Sequence, residues 1–413
     1  MNRMMEPPAP TVTPPVILSR ADHPISRKQL SPGTLNVLYR LKEAGFTAYI
    51  AGGGVRDLLV GKHPKDFDVA TDARPEQVRR LFRHCRLIGR RFRLAHVHEH
   101  NEVIEVSTFR ANVADAPSSK EKFHQTSEDG MILRDNVYGT PEQDAHRRDF
   151  TINAMFYNIV DYTIIDYVGG LADIRDKMVR TIGEPEVRMA EDPVRMIRAV
   201  RFASILDFGY EPATERAILN GASRLAQASP ARMFEEVQKL FFCGHSRRVL
   251  EELMRFGLLA PMMPELDEAM RADERDRQWL DRVTRQLDTW RSHKVRVTPE
   301  LLFSLLFGLV HERRIAGLSA EGLPLFPAAD RAVSEHLIAN APHILVPKVM
   351  GRHMAQIMAV QPYFQAVKEG KVKRFMQRPC FHDAYIYFKM RARFDQRDSE
   401  ALQFWDERIR AGA

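Results

Sequence analysis

The alternation of apolar and polar positions changes character along the chain. Residues 34–44 place Val37, Leu38 and Leu41 on one face at helical spacing, with Ser31 as N-cap, Pro32 at the first helical position and Gly45 as the stop. From Thr47 the period shortens. Residues 48–51 form a short apolar strand running into Gly52-Gly53-Gly54, and residues 55–60 give a helical turn or two before Gly61. Residues 67–71 read as a strand with carboxylates interleaved among apolar side chains. Residues 75–84 form an amphipathic helix, and residues 94–98 and 103–108 alternate as a paired set of strands. Residues 111–135 are polar and aperiodic, and a loop this long inside a compact domain is either functional or disordered. After Tyr167 strand signals fade. Residues 171–177, 193–206, 212–225 and 232–242 read as helices, and helical spacing continues with proline breaks to the end. The pattern predicts an α+β head, a small mixed sheet with helices, followed by an all-α remainder. Ahead of it, residues 1–32 carry seven prolines, which predicts a disordered arm over residues 1–30.

Composition narrows the class. The chain has 413 residues, 44% of them hydrophobic, enough for two or three cored domains. Lys plus Arg exceeds Asp plus Glu by 61 − 54 = 7, and the pI is near 9.3, which favours a polyanionic partner. Residues 79–93 hold seven arginines and no acid. Residues 348–413 hold 13 Lys plus Arg against 7 Asp plus Glu, interleaved with Phe375, Phe381, Tyr385, Tyr387, Phe388 and Phe394. Such aromatics suit either base stacking or a helical core. No run of apolar residues is long enough for a transmembrane helix, and the N-terminus lacks a signal-peptide pattern. Three scattered cysteines, Cys85, Cys243 and Cys380, exclude a disulfide framework, so a cytoplasmic, reducing location is expected.

Candidate chemistry concentrates in residues 51–71, AGGGVRDLLVGKHPKDFDVAT. Asp66 and Asp68 are two apart on the predicted strand and therefore share a face. Paired carboxylates repel unless cations sit between them, and two Mg2+ ions suit both oxygen ligands and substrate phosphates. Gly52 and Gly53 let backbone N–H groups approach a phosphate at a helix start, with Arg56 in the first turn. Glu105 alternates with Ile104 and Val106 and would share the face of the pair if the two strands are neighbours. His96, His98 and His100 also alternate, but binding of a soft metal is not expected beside an oxygen-rich Mg2+ site.

Three segments in order, GGGVRDLLVGKHPKDFDVAT, RRDFTINAM (residues 147–155) and EDPVRMIRAVRF (residues 191–202), resemble the nucleotidyltransferase superfamily, specifically bacterial poly(A) polymerases and tRNA CCA-adding enzymes. The resemblance implies a catalytic head at residues 31–167, a helical neck for nucleotide selection at 168–245, and a helical body with a basic C-terminal RNA-binding region at 246–413. It implies Asp66, Asp68 and Glu105 as metal-holding catalytic carboxylates, with Asp149 a rival third member. The other reading of Asp149 is a cap on the helix beginning at Phe150. Gly52, Gly53, Arg56, Arg148, Asp192, Arg195 and Arg198 become nucleotide contacts by the same resemblance, Asp192 and Arg195 reading the base edge. Without it, Asp192 and Arg195 would be an ordinary salt bridge. The stretch LIGRRFRLAHV (residues 87–97) resembles the form found in poly(A) polymerases. The expected activity is template-independent addition of AMP from ATP to RNA 3′ ends with two Mg2+ ions. A CCA-adding enzyme is the alternative, and an inert RNA-binding protein is the alternative from another class.

Overall fold

A computed structural model describes residues 14–89, 93–111, 137–366 and 369–411, and the backbone of 124–126 and 132–135. The chain divides into two compact units. The first comprises Met1–Arg195 with Asp207–Ala217, and the second Met196–Leu206 with Ile218–Ala413. The division falls within the stretch expected as a neck.

The first unit is built on one mixed sheet. Its strands are β1 (Val16–Leu18), β2 (Ala48–Ala51), β3 (Asp68–Thr71), β4 (Cys85–Ile88), β5 (Leu94–Glu99), β6 (Glu102–Thr108), β9 (Met155–Asn158) and β10 (Ile164–Asp166); β7 (His124–Thr126) and β8 (Ile132–Asp135) pair separately. The order across the sheet is β1-β10-β9-β2-β3-β6-β5-β4, with β3 and β6 parallel and the other pairs antiparallel. The sheet has eight strands, four of them marked by periodicity; β1, β4, β9 and β10 are three or four residues long, with little alternation to read.

Period-two alternation sends each strand's side chains to two faces. Ile50, Val69, Ala95, Val97, Ile104 and Val106 pack on one, against α1 (Pro32–Glu43) and α3 (Pro75–Leu81). Helix α1 starts as its sequence dictates: the Ser31 hydroxyl accepts from the Thr34 N–H at 3.2 Å, Pro32 follows, and Val37, Leu38 and Leu41 are buried. Ala51, Ala70, Phe109, Phe156 and Ile165 form the core of the other face. The segment expected as a disordered arm is ordered from Pro14 onward. Val16–Leu18 adds to the sheet edge at β10, and Ile25 and Leu30 are buried in the core; apolar burial outweighs the local proline signal. Residues 1–13 lie outside the described residues.

The second unit is helical throughout its described residues. Its aromatics answer the question left open by the sequence: Phe375, Phe381, Tyr385, Tyr387 and Phe388 are buried, so they build core rather than an RNA-stacking surface. No helix among the described residues is long and apolar enough to cross a membrane.

Candidate functional site

Strand β2 delivers the glycine turn. Gly52 has φ +73°, its N–H donates to Met155 O at 3.2 Å, and a Cβ there would lie 2.8 Å from Arg148 Nη1, so only glycine fits. Helix α2 (Gly53–Leu59) begins immediately after. Its Arg56, expected to contact nucleotide, is buried; Nε donates to Asp57 Oδ1 at 2.9 Å and Nη1 to Asn153 Oδ1. The guanidinium thus braces the turn from inside.

The carboxylates arrive on adjacent strands. Asp68 opens β3 and is the register partner of Glu105 on parallel β6, so both carboxylates stand on one face. Asp66 differs from expectation: it lies in the bend before β3, exposed, with Lys65 Nζ 3.8 Å away. Pairing with β2 begins only at Asp68, opposite Ala51, which leaves Asp66 outside the ladder. Asp68 reaches solvent, yet the surrounding protein strips enough water from it to push its carboxyl up to about 6. Glu105 and Asp66 push the same way, against Arg148. Glu105 Oε1 lies 3.3 Å from His96 Nε2 on β5. Among the described residues, no three His, Cys, Asp or Glu side chains converge as a ready metal cage, so Asp66, Asp68 and Glu105 do not form a closed set. The donor chemistry nevertheless fits Mg2+: two carboxylates on one face, one raised by the other, is an arrangement that an oxygen-seeking cation relieves.

Residues 147–155 cross the head beside this pair. Helix α4 (Pro141–Arg147) ends at Arg148, whose guanidinium is held by Asp144 Oδ2 at 2.9 and 3.1 Å, donates to Asn153 O at 3.1 Å and lies 5.2 Å over the Phe156 ring. Asp149 accepts from Phe150 N at 2.8 Å and from Asn153 Nδ2 at 3.1 Å; the 3-10 turn at Thr151–Asn153 has Phe150 as its N-cap, so Asp149 braces the turn through the Asn153 side chain and does not cap a helix beginning at Phe150. Asn153 is a functional residue that sequence reasoning missed. It ties together Arg56 and Asp149, partners 97 and 4 residues away, and only its place within RRDFTINAM hints at a role.

A second feature missed by sequence reasoning is a cluster of arginines. Beyond α5 (Gly170–Arg175) come α6 (Pro185–Glu191) and α7 (Val194–Leu206), with Asp192 as the C-cap of α6. Arg195 is buried and donates to Arg188 O at 2.6 Å and to Glu191 Oε2 at 3.1 Å. Its ion pair is therefore with Glu191 and not with Asp192, because i, i+4 geometry along α6 and α7 brings Glu191 closer. Arg188 shares that carboxylate at 2.8 Å and caps Arg147 O and Arg148 O. Burial pushes Arg147 down to about 9, helped by Arg110, Arg188 and Arg195 and opposed by Glu191. Glu191 pairs with both Arg188 and Arg195, and Asp144 acts on Arg110, so the arginine cluster is laced with carboxylates. Arg198 belongs to the second unit, where Nη1 lies 3.8 Å from Glu236 Oε1. Of the basic stretch, Arg93 pairs with Glu76, and Arg90, Arg91 and Phe92 lie outside the described residues.

Comparison with known proteins agrees with this arrangement. Family models match in order: the poly A polymerase head domain at residues 48–180, a probable RNA and SrmB-binding site of polymerase A at 207–270, and the polymerase A arginine-rich C-terminus at 321–413. Poly(A) polymerase I of Salmonella typhimurium is 40% identical over 95% of this chain and 85% of its own length. The CCA-adding enzyme of Bacillus subtilis is 41% identical over 54% of this chain and 53% of its own. Among solved structures, the CCA-adding enzyme of Bacillus stearothermophilus in complex with CTP matches with TM-score 0.52 and 26% identity, over 92% of this chain and 99% of that one. The likeness to CCA-adding enzymes in sequence stops midway, whereas the likeness to the polymerase runs nearly end to end. The chain belongs to the poly(A) polymerase I family.

Proposed function

We propose that this chain is a template-independent polynucleotide adenylyltransferase, transferring AMP from ATP to RNA 3′ ends. The observation that carries the reading is the 40% identity to poly(A) polymerase I across 95% of the chain, against 54% coverage for the CCA-adding relative.

Asp68 and Glu105, with Asp66 at the adjoining bend, would hold two Mg2+ ions. When bound, these supply a lowered pKa to the RNA 3′-hydroxyl and neutralise the charge developing on the triphosphate and the leaving pyrophosphate. The chain's own residues do the positioning. Gly52 and Gly53 admit the phosphates to the backbone, and Arg148 stands beside Asp68, held at its angle by Asp144 and Asn153. The basic cluster of Arg110, Arg147, Arg188 and Arg195 attracts the nucleotide's negative charge. Asp192 and Arg195 present an acceptor and donors to the base edge. Asp149 acts through Asn153, whose side chain it holds. The rate comes from positioning and electrostatics, with no covalent nucleophile.

ATP and CTP supplied separately, each with unstructured RNA and with tRNA lacking its 3′ end, test the reading. Continued AMP addition to unstructured RNA, with a roughly ten- to hundredfold preference over CTP, is expected from one or two bidentate contacts to the base. Addition that stops after C-C-A on tRNA, with CTP used as readily as ATP, would overturn it.

A further inference from the structure

The sheet carries its chemistry along a single register row. On one side of Asp68 the row continues through Ala51, Phe156 and Ile165, all buried beneath the second core. On the other it continues through Glu105, His96 and Arg86 to the edge strand β4, and this half lies open: Glu105 and Arg86 are exposed and His96 is half-buried. Three inter-strand spacings separate Asp68 from Arg86, roughly 14 Å.

The open half is cationic by construction. Glu99 and Glu102, the other acids of β4–β6, turn to the opposite face, where Glu99 pairs with Asn36 and Arg40 and Glu102 with Ser31. His98 stands beside His96 on the open face, and with Arg83, His84, Cys85 and Arg86 it lines a hollow of about 470 Å3 at the sheet edge. Val103 and Ile88, on the same face, are large apolar side chains left 45% and 38% exposed. Cations, flat heterocycles and uncovered apolar surface together are what a single strand of nucleic acid uses.

We propose that this open half-face, from Glu105 to Arg86, is the track on which the 3′-terminal nucleotides of the RNA lie. This rests on the reading of the chain as an enzyme extending RNA 3′ ends. The terminal hydroxyl must reach Asp68, and the preceding nucleotides must leave by a side that is not filled. Toward β2 the way is closed by Ala51, Phe156 and the Gly52 turn beneath Arg148. Toward β4 it is open. Arg83 and Arg86 contact phosphates, and His96 and His98 offer stacking surfaces independent of base identity.

The test uses the full chain and a fluorescein-labelled 15-nucleotide oligo(A). Combined Arg83→Ala, Arg86→Ala and His98→Ala substitutions should raise the dissociation constant about tenfold or more. They should also flatten its salt dependence by about 0.7 of a logarithmic slope unit for each phosphate that is no longer neutralised. KM for ATP at saturating RNA should stay within about twofold, which general damage to the head would not allow. All three residues are exposed, so a wild-type melting temperature is expected, and Arg86→Lys should restore part of the salt slope. In the wild-type chain, 4-thiouridine placed third from the 3′ end should crosslink within residues 83–98. Unchanged affinity and salt slope in the triple variant, or crosslinks confined elsewhere, would overturn the track while leaving poly(A) addition standing. Failure of the wild-type chain to extend the oligonucleotide with ATP would overturn both.

Discussion

In the helical unit, Glu236 is buried among cations: burial alone would push its carboxyl up, but Arg198, a hydrogen bond from Lys239, and Arg201 outweigh it and hold the group below its usual range. On the head sheet, burial pushes Asp68 up to about 6, and its register partner Glu105 pushes the same way. Arginines divide the same way. Arg391 is buried in the helical unit, yet Glu312 grips it at 2.7 and 2.8 Å and raises it above its ordinary value. Arg147 in the head is lowered to about 9 by burial and by its own kind. One region closes its charges against one another and gains rigidity. The other leaves Asp68 and Glu105 together on neighbouring strands, in readiness for a cation. Unfinished electrostatics mark where substrate and metal complete the structure.

Substitution tests the contrast most strongly. Asp68→Asn should lower AMP incorporation by roughly a thousandfold while leaving the melting temperature unchanged or higher, since it removes a repelling charge. Glu312→Gln should do the reverse, costing about 3 kcal/mol of stability by loosening Arg391 and Tyr387 while activity per folded molecule persists. A destabilised Asp68→Asn would show that the head carboxylates are structural after all. Asp66→Asn and Glu105→Gln, measured in the same assay, rank the remaining carboxylates, and Asp149→Asn should cost stability as well as rate because its hydrogen bonds with Phe150 N and Asn153 are weakened. Arg148→Gln comes next, raising KM for ATP about tenfold and costing some stability as well, because its hydrogen bonds to Asp144 and Asn153 are lost.

How far this contrast was legible in the sequence depends on the range of the interactions. Helix α1, the β2–glycine–α2 turn and the β5–β6 hairpin are written in local periodicity and caps, and Glu105 could be placed because alternation fixes its face. The partner strand of β6 could not be read, since parallel pairing with β3 joins residues 37 positions apart with no turn to specify them. Strands β1 and β4 are three and four residues long and flanked by prolines or arginines, so their order comes from neighbours rather than pattern. Asp66 was misplaced because an i, i+2 spacing looks the same whether or not the strand has begun. The arginine cluster draws Arg110, Arg147, Arg188 and Arg195 from three separate segments, and nothing local announces that they meet.

Metal binding gives a finer test. Asp68 must lose its proton to bind Mg2+, so affinity for Mn2+ as a spectroscopic probe should fall about tenfold per pH unit below about 6 and level off above it. Glu105→Gln should move that inflection downward by removing the neighbour that raises Asp68. An inflection that stays in place would mean that burial alone sets it.

The smallest effect is also the most discriminating, because acid should act with opposite sign on the two units. His311 in the helical unit is fully buried, neither ring nitrogen has a hydrogen-bond partner among the described residues, and burial, with His336 and Arg314, holds it well below 6.5. The unfolded chain therefore takes up a proton that the folded one refuses, and stability falls as pH drops below 6.5, by up to about 1.4 kcal/mol per unit. Asp68 runs the other way. Its folded value lies above the ordinary 3.8, so its contribution is present at low pH and is lost as pH rises through about 6; exposure limits it to roughly 1 kcal/mol. The three tryptophans, Trp279, Trp290 and Trp405, all lie in the helical unit, so their fluorescence follows that unit alone. Between pH 7.5 and 5.5 the tryptophan-detected melting temperature should fall. Over the same interval, hydrogen exchange measured at strands β3 and β6, corrected for the intrinsic pH dependence of exchange, should slow or hold steady. His311→Phe should abolish the first trend and leave the second, and Asp68→Asn should do the converse. Two trends of the same sign would mean that the head carboxylates are neutralised within the protein, and that the contrast between the units is not one of open and closed charge.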